Sequence, residues 1–237
     1  MEKIINYENL RSFAYSNDKL IKKSIKGIVI NFHGLGVSSI CNDDPGDAVE
    51  LAEEGIIYLY PYYNPWCWMN EQAVNYVDEI VDVICDKYSL GDSVKIVSSG
   101  GSMGGLGALV YCVYSKRTPT ACVANCPVCD LPFHMNERAD LPRTLYSAFA
   151  HFDGTMEEAL RSRSPLHLVE RMPDIPYTVF HCCEDKSVNI ERHSEAFVKA
   201  MSKSHDVEYI RVAHRNHCNL SAMAAVKYRQ AILNAFE

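Results

Sequence analysis

The stretch Lys95-Ile96-Val97-Ser98-Ser99-Gly100-Gly101-Ser102-Met103-Gly104-Gly105 does most to limit what this chain can fold into. A β-branched run stops at glycines, and a serine sits among them. Leu106, Leu109, Val110 and Val113 then recur at helical spacing, so the segment reads as strand, sharp turn, helix. Gly100-Gly101-Ser102-Met103-Gly104 fits G-x-S-x-G, in which small flanking residues let strand and helix approach closely while the serine hydroxyl is presented from a strained turn. Ser102 is therefore the candidate nucleophile. Taken alone the pattern describes a glycine-rich turn equally well, so the rest of the chain must decide it.

A chain of 237 residues with 48% hydrophobic content can bury one large core, and no second domain is needed. The net charge of −7, with no Lys/Arg run denser than Lys22-Lys23, excludes partners that depend on clustered positive charge, nucleic acid and anionic membrane among them. Met1-Glu2-Lys3-Ile4-Ile5-Asn6 lacks the apolar centre of a signal peptide, and no later run is apolar for long enough to span a bilayer. The expectation is a soluble cytoplasmic protein. Of the ten cysteines, Cys85, Cys112, Cys122 and Cys182 lie in apolar runs where a reduced thiol acts as a small hydrophobe. Cys126-Pro127-Val128-Cys129 has no second pair at zinc-ribbon spacing, so no metal is assigned.

In chain order, Leu10 to Tyr15 with the polar turn Ser16-Asn17-Asp18 predicts a short edge hairpin. Gly27 to Phe32 is a buried-type strand running into His33-Gly34-Leu35-Gly36, a turn whose backbone N–H groups can meet a developing oxyanion. A helix over Ala48 to Glu54 and a strand over Gly55 to Tyr60 follow. Next comes the aromatic loop Tyr62-Tyr63-Asn64-Pro65-Trp66-Cys67-Trp68-Met69. Glu71 to Tyr88 carries Ala73, Val74, Val77, Ile80, Val81, Ile84, Cys85 and Tyr88 on one face with Asp78, Glu79, Asp82 and Asp86 opposite, an amphipathic helix. Thr120 to Asn125, Pro176 to Cys183 and Val207 to Val212 are further strands, Glu191 to Met201 a helix, and Leu220 to Phe236 a closing helix. The span 131–165, broken by prolines, reads as a small helical insertion over the strand ends. Alternating strands and helices call for an α/β fold with a mostly parallel sheet covered on both faces.

In such sheets functional residues collect at the carboxyl ends of the strands, where this chain supplies Ser102, then Asp185, then His217. With His33-Gly34-Leu35-Gly36, Gly100 to Gly105, Ser164-Pro165-Leu166-His167 and His181 to Val188 in view, the sequence resembles the α/β-hydrolase superfamily, and within it the prolyl-oligopeptidase-type peptidases and related esterases. The likeness runs from Ile28 onward and implies one α/β-hydrolase domain over 1–237 with a cap at 131–165. It departs from the family where Cys182 replaces the glycine of H-G-x-x-D, and where the segment before His217 lacks its usual glycine. The family's oligopeptidases carry a large N-terminal propeller, whereas only a short hairpin is expected before this core, which weakens a peptide-specific reading.

The resemblance implies acyl transfer to Ser102, with His217 as general base and Asp185 orienting it. Met103 and Leu35 would give the oxyanion-binding N–H groups, and no cofactor is called for. His33, Gly34, Tyr62, Trp66, Trp68 and Phe133 are the expected substrate-binding residues. The first expectation is a carboxylesterase for a small or medium ester. A serine peptidase of the oligopeptidase type is the alternative, and a catalytically silent fold used for binding is the third. The oligomeric state is left open. Between the two histidines after the last strand, His217 is preferred as base, because His214 follows Val212 too closely to reach back to the serine.

Overall fold

In the computed structural model, which describes residues 4–237, the apolar runs become strands and the amphipathic stretches helices. Met1 to Lys3 of the N-terminal segment read above lie outside the described residues. β1 (Ala14–Ser16), β2 (Gly27–Phe32), α1 (Gly46–Glu53), β3 (Ile56–Pro61), α2 (Glu71–Tyr88), β4 (Lys95–Gly101), α3 (Met103–Tyr114) and β5 (Ala121–Asn125) follow in turn. Three helices, α4 (Leu131–His134), α5 (Leu141–Phe149) and α6 (Met156–Ser162), fill the span before β6 (Tyr177–Cys182). The chain closes with α7 (Ala196–Met201), β7 (Val207–Val212) and α8 (Ala222–Asn234).

The strands form one sheet in the order β1-β3-β2-β4-β5-β6-β7, parallel throughout except for β1, which pairs antiparallel with β3. Because alternate strand residues point to opposite faces, the sheet has two cores. Ile28, Ile30, Ile57, Leu59, Cys122 and Val179 pack with α2, α3 and α7 on one side. Val29, Tyr58, Val97, Val123 and Phe180 pack with α1 and α8 on the other. This is the α/β architecture that the alternating pattern called for. Parallel strands bring the ends of β2, β4, β5, β6 and β7 to one edge of the sheet, and the chemistry-bearing turns lie there.

Four local expectations need correction. The N-terminal hairpin is a single edge strand, because Asn17 ties the polar turn to its neighbours instead of leaving it in solvent. Its side-chain amide donates to Ala48 and Ile56 carbonyls at 2.7 and 3.1 Å, and its Oδ1 accepts from Tyr58 N–H at 2.7 Å. Asp78, placed by periodicity on the polar face of α2, is 3% exposed. It accepts the Tyr111 hydroxyl at 2.8 Å and the Lys116 backbone N–H at 3.3 Å, and those partners replace water. The helix expected from Glu191 begins as a π-helical turn over Glu191–Glu195 before α7. The closing helix starts at Ala222, so His217 lies in a loop and not at the helix head. α2 itself ends as designed by local chemistry: Asn70 caps its N-terminus by accepting from Ala73 N–H at 3.0 Å, and Ser89 stops it in the left-handed region at φ 52°.

Candidate active site

Ser102 stands between β4 and α3 with φ 60° and ψ −124°, a backbone conformation that costs a residue with a Cβ on the order of 1–3 kcal/mol. The flanking glycines make the turn possible. A Cβ on Gly104 would run into the Phe32 carbonyl, and one on Gly100 would lie 2.6 Å from the Gly104 carbonyl oxygen. The strained residue is held from the other side by its own N–H, which donates to the Asn125 carbonyl at 2.9 Å. Met103 opens α3, so its N–H has no acceptor within the helix.

Loops after β6 and β7 bring the acid and the imidazole to this serine. Ser102 Oγ donates to His217 Nε2 at 2.8 Å, and His217 Nδ1–H donates to Asp185 Oδ2 at 2.6 Å. The Asp185 side chain is wholly buried, while His217 keeps 23% of its side chain exposed. Asp185 Oδ1 accepts the backbone N–H groups of Ser187 and Val188 at 2.8 and 3.0 Å. Burial alone would raise this carboxyl's pKa; hydrogen bonds from His181 and His217 and the His217 charge overcome it and hold the group well below the usual carboxylate range. Burial disfavours the His217 imidazolium, but the hydrogen bonds to Asp185 and Cys126 and the Asp185 charge outweigh it and push His217 up to about 9. His214, three residues earlier, has its side chain 92% exposed and lies 3.4 Å from Glu184.

The serine opens onto a cleft of about 480 Å³ whose walls include Asn31, Leu35, Tyr60, Arg138 and Cys218. His33 and Gly34 also line it, as the sequence led us to expect. The His33 ring stacks on Tyr63 with centroids 3.8 Å apart and has its nitrogens 3.0 and 3.1 Å from the Gly34 and Tyr63 carbonyls, which fixes the turn carrying Leu35. Burial lowers its pKa, against the two carbonyls, which raise it. A second cavity of about 520 Å³ lies under α1 and α8, shares Asn31 and Gly101 with the cleft, and is walled by Leu51, Tyr58, Tyr228 and Ile232. Asn125 also lines it, and its buried Oδ1 has no hydrogen-bond partner among the described residues.

The aromatic loop does not reach the serine. Trp68 is 1% exposed and donates its indole N–H to Thr144 Oγ1 at 3.0 Å, so it is a core residue that anchors α5. Tyr62 accepts the Cys41 N–H at 3.0 Å. The half-exposed Trp66 lies beside Arg143 and Ser147. Phe133 packs edge-on to His193 with Arg192 over its face. None of these four walls the Ser102 cleft. Sequence spacing missed Tyr60, Asn31 and Arg138, which arrive from β3, β2 and the insertion. His181 also reaches the site, with its Nε2 3.2 Å from Asp185 Oδ2.

All ten cysteines are free thiols. The Cys126–Cys129 pair does not converge on one point: Cys129 Sγ turns to the Pro127 carbonyl, while Cys126 joins His217 and Cys218. Buried His134 and His193 with the half-buried Glu137 also have metal-ligand composition, but their hydrogen bonds engage the ligand atoms. His193 Nδ1 accepts the N–H groups of Cys129 and Asp130 at 3.0 and 3.1 Å, so Nε2 carries the proton and donates to Glu137 Oε2 at 2.7 Å. His134 Nδ1 donates to the same oxygen. The cluster is a clamp between the insertion and the turn before α7, and Glu137 Oε1 extends it to the acid loop by accepting Asn189 N–H at 3.1 Å.

The model of the prolyl oligopeptidase family matches residues 69–236. No curated protein sequence matches the chain. Among solved structures, a puromycin-hydrolysing peptidase of Mycobacterium tuberculosis superposes with a TM-score of 0.72 at 20% identity, over 91% of this chain and 34% of that one. The acylaminoacyl peptidase of Pyrococcus horikoshii gives 0.68 at 11% identity, over 91% and 36%. Esterase 2 of Thermogutta terrifontis, with propionate bound, gives 0.65 at 20% identity, over 93% and 87%. The chain thus spans about a third of the length of the two peptidases and most of the esterase; at these identities the likeness is one of fold.

Proposed function

Because the chain belongs to the prolyl oligopeptidase family, we propose that it is a serine hydrolase, with Ser102 as nucleophile, His217 as base and Asp185 as the residue that orients the base. We further propose a carboxylic ester of small or medium size as its substrate. The observation that carries the reading is the hydrogen-bond chain Ser102 to His217 to Asp185, 2.8 and 2.6 Å, at the head of α3. As His217 takes the Ser102 proton, Oγ attacks the acyl carbon and the carbonyl electrons move to oxygen. The N–H groups of Met103 and Leu35 are the proposed oxyanion donors, each worth about 3 kcal/mol in such sites. The intermediate collapses, His217 returns its proton to the departing alcohol, and water then repeats the sequence on the acyl-enzyme to release the acid. The chemistry uses no cofactor.

Ester substrates are favoured over peptides by the cleft walls. A peptidase that recognises an amino terminus needs carboxylates near the serine, and among the described residues walling this cleft the charged side chains are Arg138 and His217. Arg138 is in turn neutralised by a bidentate pair with Asp140, at 3.0 and 2.6 Å. The peptidase reading rests on the family match and on the two peptidase neighbours. Among the described residues no helix is long and apolar enough to cross a membrane. Ten unpaired cysteines suit a reducing compartment, and we assign the protein to the cytoplasm.

The test compares rates on nitrophenyl esters of increasing acyl length with rates on aminoacyl nitroanilides. The expected result is turnover of short and medium esters with little amide cleavage. A preference for the anilides would replace the esterase reading with the peptidase one. A fluorophosphonate probe should label Ser102 and leave the strand residues Ser98 and Ser99 untouched. An unlabelled Ser102 in folded protein would point to a silent fold used for binding.

A further inference from the structure

Cys126 follows β5 directly, and Cys218 sits beside His217 in the loop after β7, 92 residues further on. The fold brings the Sγ atoms of both cysteines and a ring nitrogen of His217 to within 4.8 Å of one another. Cys218 Sγ is 3.7 Å from His217 Nε2. A tetrahedral Zn²⁺, with Zn–S of about 2.3 Å and Zn–N of about 2.0–2.1 Å, sets nitrogen and sulfur roughly 3.6 Å apart, so this edge of the site already has the spacing of a coordinated pair.

The surroundings are those that hold metal ligands in place. Cys126 Sγ accepts the backbone N–H groups of Cys182 and Cys218 at 3.3 and 3.4 Å, bonds that stabilise a thiolate and fix its direction. His217 gives its Nδ1–H to Asp185, the carboxylate–histidine arrangement that leaves Nε2 free to bind a metal. Cys126 is buried, but Cys218 and His217 line the Ser102 cleft, so an ion has a path in and a fourth coordination position facing solvent. The other two groups of metal-binding residue types differ. In one, Glu137 already takes the ring protons of both histidines. In the other, His181 and Asp185 are wholly buried and engaged with each other.

We propose that Cys126, His217 and Cys218 form an inhibitory site for a soft divalent cation, Zn²⁺ in particular, which switches the hydrolase off by occupying its base. The inference rests on the assignment of His217 as general base. On binding, the two thiols lose their protons to solvent and coordinate as thiolates, and the Nε2 lone pair goes to the metal in place of the Ser102 hydroxyl proton. No redox change is involved. The two thiolates offset the charge of the cation, which suits a site open to water on one side only. Sulfur and imidazole donors select Zn²⁺ over Mg²⁺ or Ca²⁺.

The experiment uses the full chain, reduced and freed of metal by a chelator that is then removed. Co²⁺ is titrated as a spectroscopic probe, and Zn²⁺ is titrated against ester hydrolysis. Expected are one equivalent of Co²⁺ with thiolate-to-metal charge-transfer absorption, and Zn²⁺ inhibition that a chelator reverses. Inhibition is read in each variant as the ratio of rates with and without Zn²⁺, so changes in basal rate cancel. Cys218→Ser and Cys126→Ser should each weaken inhibition by at least about tenfold, the scale seen even when an outer partner of a metal site is removed. Cys129→Ser should leave it unchanged. Cys218 is only half-buried, so its variant tests the idea even if the Cys126 variant does not fold. Absence of the charge-transfer band in folded wild-type protein, or undiminished Zn²⁺ inhibition of Cys218→Ser, overturns the proposal. A charge-transfer band in a protein that hydrolyses nothing even without metal would uphold the site and remove the hydrolase reading instead.

Discussion

His181 Nε2 stands 3.2 Å from Oδ2 of Asp185, the same oxygen that accepts the proton of His217. The His181 ring is tied down on both edges. Nε2–H donates to the Val188 carbonyl at 3.2 Å, and Nδ1 lies 2.7 Å from Ser194 Oγ, which in turn lies 3.0 Å from the Tyr209 hydroxyl. A second imidazole thus helps hold the carboxylate that accepts from the first. His181→Ala should lower kcat by about 10- to 100-fold with KM little changed, by analogy with the range found when the outer partner of a metal ligand is removed. His181→Gln, which restores an N–H, should recover part of the loss. Loss of this donor leaves the Asp185 carboxylate less satisfied and so favours the His217 imidazolium more, and the variant's acid-side limb, which His217 sets, should lie at a higher pH than in wild type. An unchanged acid side of the pH–rate profile would reduce His181 to a packing residue.

The choice of base is open to direct measurement. His217→Ala should lower kcat by about 10³-fold or more with the fold intact, as for removal of a member of a serine–histidine–acid set. His214→Ala should change it by less than a few-fold, since that side chain is in solvent. The reverse order, in two variants with native circular dichroism, would mean that the base is misassigned.

pH should move activity and stability in opposite directions. His217 must be neutral to accept a proton, and its pKa is pushed up to about 9, so kcat/KM should climb with pH along a limb centred above the ordinary value of 6.5. The folded value exceeds the unfolded one, so the stability contributed by the Asp185–His217 pair is fully present below 6.5 and is lost as pH rises through about 9. Rate profiles and thermal melts across the neutral to alkaline range check both halves. Asp185→Asn should draw the limb down to the ordinary histidine range and cut kcat by about 10⁴. A wild-type limb at 6.5 or lower contradicts this account.

Glu137 should matter for stability more than for chemistry. Burial would raise its pKa, but hydrogen bonds from His134 and His193 push it down to about 2. This depressed carboxylate contributes stability that is present above its ordinary 4.5 and is lost as pH falls through about 2. Glu137→Ala leaves two buried imidazole N–H groups unmatched, at a cost of about 1–3 kcal/mol each. That corresponds to a fall in Tm of roughly 2–4 °C per kcal/mol for a domain of this size. Urea denaturation at neutral pH would show it as a lowered midpoint. A midpoint equal to wild type would mean that the clamp contributes nothing.

What the sequence determined by itself was the order and kind of the elements and the turn at Ser102. Periodicity is a local property: the run from Ile28 to Phe32 needs burial on two faces, and Glu71 to Tyr88 needs it on one, whatever surrounds them. Gly100 is likewise kept small by its own turn, through the nearby Gly104 carbonyl, whereas Gly104 is kept small by the Phe32 carbonyl of the neighbouring strand. Ser102, Asp185 and His217 could be named because parallel strands deliver their carboxyl ends to one edge, so order along the chain becomes proximity in space. Only tertiary structure decided the rest. Trp68 looked like a cleft residue because a loop rich in aromatic side chains can line a pocket or cover a core, and composition does not separate the two; packing against Thr144 does. Asp78 sits on the charged stripe of its helix, yet Tyr111 and Lys116, far along the chain, supply the hydrogen bonds that let it be buried. Cys126 pairs in sequence with Cys129, but in space it meets Cys218 and His217, because strand ends that are neighbours in the sheet bring together residues that no spacing along the chain relates.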